Sequence, residues 1–223
     1  MRQLYVIGLG PGDPNLITVR GSEILSKAEV VFVPYSTGTN RSLALSIVEK
    51  YSKAEIVTLG FPMKKDVDPK DLERIGEEIC SKSKSLSAFV TLGDPSLYST
   101  FFRVSNYLGC FNSVEIVPGV SSITACASKA FMPLALRNEA IAIIPADRLD
   151  LISKVKQDFE TIIVLKGNEN LDKISEELKD DYDLLYARRC YLDGEKVIPW
   201  SENEYDKDYF SMLICKVRNN EKG

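Results

Sequence analysis

The chain has 223 residues, 44% of them hydrophobic, and its 28 Lys and Arg against 32 Asp and Glu give a formal net charge of -4. That length and apolar content can bury a sizeable core in one large domain or two small ones, and the charge excludes a global attraction to nucleic acid or an anionic membrane. The chain contains no histidine, which excludes Ser-His-Asp and Cys-His triads, His-ligated zinc and imidazole general bases within it.

The first run, LYVIGLG, reads as a strand whose glycines break the apolar stretch too early for a signal peptide or membrane span, so a cytoplasmic location is expected. An amphipathic helix is expected over Ile17 to Ala28, then the strand EVVFVP, then a helix from Arg41 to Tyr51 with Ala44, Ile47, Val48 and Tyr51 on one face. The strand EIVTL, a helix opened by Pro69 and running from Asp71 toward Lys82, and the strand SAFVTL follow. A further helix after Pro95 and the strand VEIV, ending at Val117, complete this half.

GCFNS, at Gly109 to Ser113, interrupts the apolar pattern and suggests domains at 1–112 and 113–223. The second half alternates more loosely. Strands are expected at Ala140 to Ile144, Thr161 to Leu165 and Leu184 to Ala187, with a helix bearing Leu171, Ile174 and Leu178 on one face. The closing run YFSMLICKV, Tyr209 to Val217, has no helix after it, which predicts an antiparallel addition to a mixed sheet. The fold class is α/β: two α/β domains, the N-terminal sheet mostly parallel and the C-terminal sheet mixed, with a cleft between them for a ligand.

Cys80, Cys110, Cys126, Cys190 and Cys215 are odd in number, scattered and free of C-x-x-C spacing. That pattern suggests neither a disulfide framework nor a thiolate zinc site, and most are expected to be buried small apolar residues.

Three loops follow apolar strands: GLGPGDP at Gly8 to Pro14, LGDPSLYSTF at Leu92 to Phe101, and VPGVSS at Val117 to Ser122. The carboxyl ends of the strands form the binding edge of an open α/β sheet, so the three together indicate a site. In the first loop Pro11 and Pro14 remove two backbone donors and Asp13 adds negative charge, which disfavours phosphate; Asp13 or Asn15 is equally suited to cap the next helix. In the second, Gly93 allows close approach, Asp94 accepts hydrogen bonds from hydroxyls or an ammonium, and Tyr98 offers a ring and a phenol. Asp94 would also serve as a helix cap. In the third, Ser121 and Ser122 precede the small residues Ala125, Ala127 and Ser128, a pattern that suits close helix packing as well as a ligand.

With these three loops in order, the chain resembles the tetrapyrrole methylases, which transfer methyl groups from S-adenosylmethionine to corrin and sirohaem precursors. The likeness runs nearly end to end. GDPSLYSTF, PYSTG with Arg41-Ser42-Leu43-Ala44, and FPM at Phe61 to Met63 are most similar to the subgroup that methylates C20 of precorrin-2 or cobalt-precorrin-2. ITVRGSEILSKAEVVFVPYST is also similar to diphthine synthase, a protein methyltransferase of the same superfamily.

The resemblance implies a homodimer, S-adenosylmethionine as co-substrate and no protein-bound metal. It carries donor contacts onto Pro11, Gly93, Asp94, Leu97, Ser121, Ser122, Lys166 and Cys190, with Lys166 standing where the family often has methionine before glycine. Gly10, Gly12, Asp13, Arg41 and Arg103 become substrate-binding candidates, and Lys64, Lys65, Arg137, Arg188 and Arg189 further partners for the tetrapyrrole carboxylates. A sulfonium methyl is already activated and the reduced tetrapyrrole supplies the nucleophilic carbon, so orientation dominates; Asp13, Asp94 and Tyr98 are the candidates to take the C20 proton.

Overall fold

The structure, a computed structural model, describes residues 1–36, 41–62, 67–201 and 206–218. It forms two compact units, Met1–Ser121 and Ser122–Gly223.

In the first unit the strands β1 (Gln3–Gly8), β2 (Val30–Ser36), β3 (Glu55–Phe61), β4 (Leu86–Thr91) and β5 (Ser113–Val117) form one sheet in the order β3-β2-β4-β1-β5. Every adjacent pair is parallel. Alternate residues of the central strands feed two separate cores. Val6, Phe32 and Phe89 pack on one face, and Ile7, Val31 and Val90 on the other. Burial on both faces explains why these strands read as continuous apolar runs.

The helices are α1 (Val19–Lys27), α2 (Arg41–Tyr51), α3 (Pro69–Lys82) and the four-residue α4 (Phe101–Val104). The cap of α1 is neither Asp13 nor Asn15. Thr18 takes that role, its hydroxyl accepting the Gly21 N–H at 3.1 Å, while Asp13 caps only the 3-10 turn Pro14–Leu16 through the Asn15 N–H at 2.8 Å. Asp68 caps α3, with Pro69 preset for its first turn.

The helix expected after Pro95 starts late and is short: α4 begins only at Phe101. Side chains compete with the helix for its donors here: Asp94 accepts the Ser96 N–H at 2.8 Å and the Ser99 hydroxyl accepts the Phe101 N–H at 3.1 Å. Tyr98 between them has φ of 54°, outside the right-handed helical region.

VEIV completes the first half, as its place in the alternation suggests, although the boundary expected at 112/113 would separate it from that half. As β5 it pairs with β1 of the first sheet, so the units divide after Ser121 and not at 112/113. GCFNS breaks the apolar pattern, but the strand beyond it completes the older sheet.

The second unit contains α5 (Ser122–Lys129), β6 (Ile141–Pro145), α6 (Leu149–Val155), β7 (Thr161–Leu165), α7 (Leu171–Leu178), β8 (Tyr182–Arg188), β9 (Lys196–Pro199) and β10 (Ser211–Val217). Its sheet has the order β6-β7-β10-β8-β9 and is mixed, as expected. The closing strand β10 is antiparallel to both neighbours and lies at the centre, which is why SMLIC is buried throughout. Sequence reasoning missed α6 and β9, both short; β9 is mostly half-buried and lacks a strong period.

The cysteine expectation is corrected. Cys80 bonds Cys110, Cys126 bonds Cys190, and Cys215 is the free thiol. The partners are 30 and 64 residues apart, so no local spacing announces them, yet folding brings the Cα atoms to 5.8 and 5.4 Å. Cys126, Cys190 and Cys215 are buried, as anticipated for most of the five, but only Cys215 is a free thiol, its pKa pushed up by burial.

Candidate functional site

Register places the three loops side by side. Across the sheet Gly8 lies opposite Thr91 and Ile7 opposite Val117, so β4, β1 and β5 end level with one another. The loop backbones then touch. A Cβ on Gly8 would stand 2.6 Å from the backbone of Gly119 and 2.7 Å from the Gly93 carbonyl, so side chains are excluded from this junction.

Each pair of loops has its own tie. Gly10 and Gly93 exchange backbone hydrogen bonds, Gly93 N–H to Gly10 O at 2.7 Å and Gly10 N–H to Gly93 O at 3.3 Å. The second and third loops meet through Asp94, whose Oδ2 accepts the Gly119 N–H at 2.8 Å. Close approach of Gly8 and Gly119 joins the first to the third. Gly93 has φ of +70°, and an added Cβ there would point into open space.

Asp94 is the most constrained polar side chain of the junction. Besides Gly119, it accepts both the N–H and the hydroxyl of Ser96. Partial burial acts to raise its pKa, but the bonds from the Ser96 hydroxyl, Gly119 N–H and Ser96 N–H together hold it below the ordinary aspartate value. It is an ionised acceptor with three of its four lone-pair sites already engaged.

Pro11 and Gly12 are buried beside Gly10, Asp13 is half-buried, and Leu97 is tied to the Asp94 carbonyl through its N–H at 3.3 Å. Tyr98 is half exposed. Arg103 is directed to the Pro62 carbonyl at 3.4 Å. The side chain of Arg41, and Lys64 and Lys65 entirely, lie outside the described residues.

Ser122, Lys166 and Cys190 belong to the second unit. Ser122 is exposed and begins α5. Lys166 follows β7 with φ of 59° and lines a cavity of about 160 Å³ with Asp147, Asn168 and Glu169. Cys190, just beyond β8, is buried and bonded to Cys126 of α5. Arg188 pairs with Asp206 and donates to the Gly194 carbonyl, and Arg189 pairs with Asp208 at 2.6 Å, so both are engaged by the chain itself. Arg137 is exposed.

Sequence reasoning found the loops but not how they are joined. The Gly8–Gly119 contact had one available signal, a glycine at the end of a strand in each of two motifs. The use of Asp94 as a tie between loops had none.

The chain thus has an all-parallel sheet with joined glycine loops in one unit and a mixed sheet in the other, an α/β protein. The family model for tetrapyrrole (corrin/porphyrin) methylases matches residues 3–206, and the chain belongs to that family. Members of this family use S-adenosylmethionine as methyl donor. The chain is 36% identical, over 97% of its length and 96% of the relative's, to a protein named probable cobalt-precorrin-2 C(20)-methyltransferase of Methanocaldococcus jannaschii. It is 34% identical to the cobalt-precorrin-2 C(20)-methyltransferase of Salmonella typhimurium, over 74% of this chain and 72% of that one. Its fold matches a uroporphyrin-III C-methyltransferase of Thermus thermophilus, solved in complex with S-adenosyl homocysteine, with a TM-score of 0.71 at 20% identity, covering 96% and 92% of the two chains.

Proposed function

We propose that this chain transfers the methyl group of S-adenosylmethionine to C20 of cobalt-precorrin-2 in cobalamin biosynthesis. The observation that carries the reading is the three-loop junction of Gly8, Gly93, Asp94 and Gly119, held in a chain that aligns from end to end with a relative named for that reaction. Metal-free precorrin-2 is the alternative substrate; the cobalt, where present, belongs to the tetrapyrrole.

The donor is held by Pro11, Gly93, Asp94, Leu97, Ser121, Ser122, Lys166 and the backbone of Cys190. Gly93 leaves the space beside its Cα open for the donor, and the ionised Asp94 places negative charge beside a cationic sulfonium. Because its three donors hold it ionised with a lowered pKa, Asp94 is a weak base that shapes the loops and leaves the C20 proton to Asp13 or Tyr98. Gly10, Gly12 and Asp13 face the tetrapyrrole, with Arg41 and Arg103 answering its carboxylates. The reaction needs the methyl carbon and C20 in line and water excluded, and such proximity supplies about 7–11 kcal/mol of the barrier.

The active form is a homodimer in the cytoplasm. Among the described residues no helix is long and apolar enough to cross a membrane. Two disulfides are unusual in cytoplasmic proteins of mesophiles but common in those of hyperthermophiles.

Incubation with S-adenosylmethionine and either cobalt-precorrin-2 or precorrin-2 tests the proposal. The expected product is heavier by one methyl group, located at C20 by carbon NMR with a labelled donor, and formed faster from the cobalt substrate. Methylation of a translation factor with no tetrapyrrole turnover would overturn it in favour of a diphthine synthase activity.

A further inference from the structure

We propose that the Cys126–Cys190 disulfide is a positioning clamp that holds the segment following β8 in the form that binds the methyl donor. The inference rests on the proposed role of Cys190, and goes beyond it by assigning what holds that backbone in place.

Cys190 lies between two non-glycine residues in the left-handed region, Arg189 at φ 48° and Tyr191 at φ 65°. Such residues are rare, and a pair of them persists only where surrounding contacts hold the chain. Hydrogen bonds hold this segment locally: the Tyr191 N–H donates to the Glu195 carboxylate at 2.6 Å, the Arg189 N–H to the Phe210 carbonyl at 2.9 Å and the Arg188 guanidinium to the Gly194 carbonyl, whereas its ion pairs reach solvent. Lys129 pairs with Glu195 at 3.1 Å and lies 4.3 Å from the Tyr191 ring centroid, but both ends of the ion pair reach solvent. Arg189 pairs with Asp208 at 2.6 Å, also with the guanidinium partly exposed.

The disulfide differs in kind. It is covalent and its two residues are 2% and 4% exposed. It also anchors Cys190 to α5, the helix that begins at Ser122, another proposed donor contact, so one bond couples two donor-binding segments of the second unit. Opening it takes two electrons and two protons. In thiol–disulfide exchange a dithiol such as dithiothreitol supplies them and departs as its own cyclic disulfide, leaving two thiols on the protein. The 189–195 segment then keeps its hydrogen bonds but loses its covalent tie to α5, so it samples other conformations and donor binding must reorder it.

The test compares affinity for S-adenosylhomocysteine, by calorimetry, among the wild type, Cys126→Ala/Cys190→Ala, and Cys80→Ala/Cys110→Ala, which removes the bridge of the other unit. The expected result is affinity about tenfold weaker in the first variant alone, with KM for the donor raised and KM for the tetrapyrrole unchanged. A general loss of stability would move both constants, and both variants. Should the first variant not fold, the Cys80→Ala/Cys110→Ala protein is titrated with dithiothreitol, and its affinity is expected to fall in step with the alkylatable thiols at 126 and 190. Equal affinity with the bridge open, in a folded protein, overturns the clamp. No binding by the oxidised wild type overturns the donor reading itself, and the clamp with it.

Discussion

Oδ2 of Asp94 accepts the backbone N–H of Gly119 at 2.8 Å, so a carboxylate on the loop after β4 closes onto the loop after β5. Asp94→Ala leaves that N–H and the Ser96 N–H without their acceptor. The expected cost is about 1–3 kcal/mol of stability in denaturant unfolding, because donors lose partners they had in the fold. Calorimetry with S-adenosylhomocysteine should show weaker binding, and an unchanged affinity would remove Asp94 from the donor site.

The same carboxylate gives an acid-side prediction. Its pKa is held below the ordinary 3.8 despite partial burial. A depressed carboxylate stabilises the fold above its unfolded-state value, and that stabilisation disappears as pH falls through the folded-state value. Thermal melts of the wild type should therefore decline on acidification through and below pH 3.8 more steeply than those of Asp94→Asn, which has no charge to lose there. Parallel curves would contradict the assignment.

Gly119 and Gly93 should respond differently to one methyl group. At Gly119 a Cβ would lie 2.7 Å from the Gly8 Cα, where both partners are backbone, so Gly119→Ala should unfold at markedly lower temperature. At Gly93 the added Cβ meets nothing, and the cost is the left-handed φ of +70°, roughly 1–2 kcal/mol. Gly93→Ala should therefore fold and lose donor affinity, which a melt paired with calorimetry would reveal.

Asp13→Asn retains an oxygen able to accept the Asn15 N–H now bonded at 2.8 Å, so the 3-10 turn should survive. If Asp13 takes the C20 proton, kcat should drop about 10²–10⁴-fold with little change in melting temperature. Tyr98→Phe offers the parallel experiment for the phenol. Full turnover by both variants would exclude the pair.

Phe89 is fully buried, edge-on to Phe61 and Phe101 with ring centroids 6.4 and 5.4 Å away. Phe89→Ala should cost about 3–5 kcal/mol in urea unfolding, since a rigid aromatic cluster cannot collapse into the space. A loss below 1 kcal/mol would mean that this core is looser than its packing indicates.

Much was legible in the chain because the signals are local. Val30 to Val33 and Ala88 to Val90 read as strands since both sheet faces are buried, and Pro69 marked the opening of α3. The glycine motifs announced the three loops. The helix after Pro95 starts late because Asp94 and Ser99 turn local donors away from it, and α6 and β9 are too short to show a period.

Alone, the amino-acid sequence determined the alternation of strands and helices, the parallel first sheet, the mixed second sheet and the loops at their carboxyl ends, since apolar periodicity and turn chemistry act over a few residues. The tertiary structure decided that β5 belongs to the first sheet, that β10 lies at the centre of the second, that Cys126 meets Cys190, and that Asp94 binds Gly119. Each of those depends on strand register and on groups distant in the chain, where contact is set by packing of the whole unit and leaves no local pattern to read.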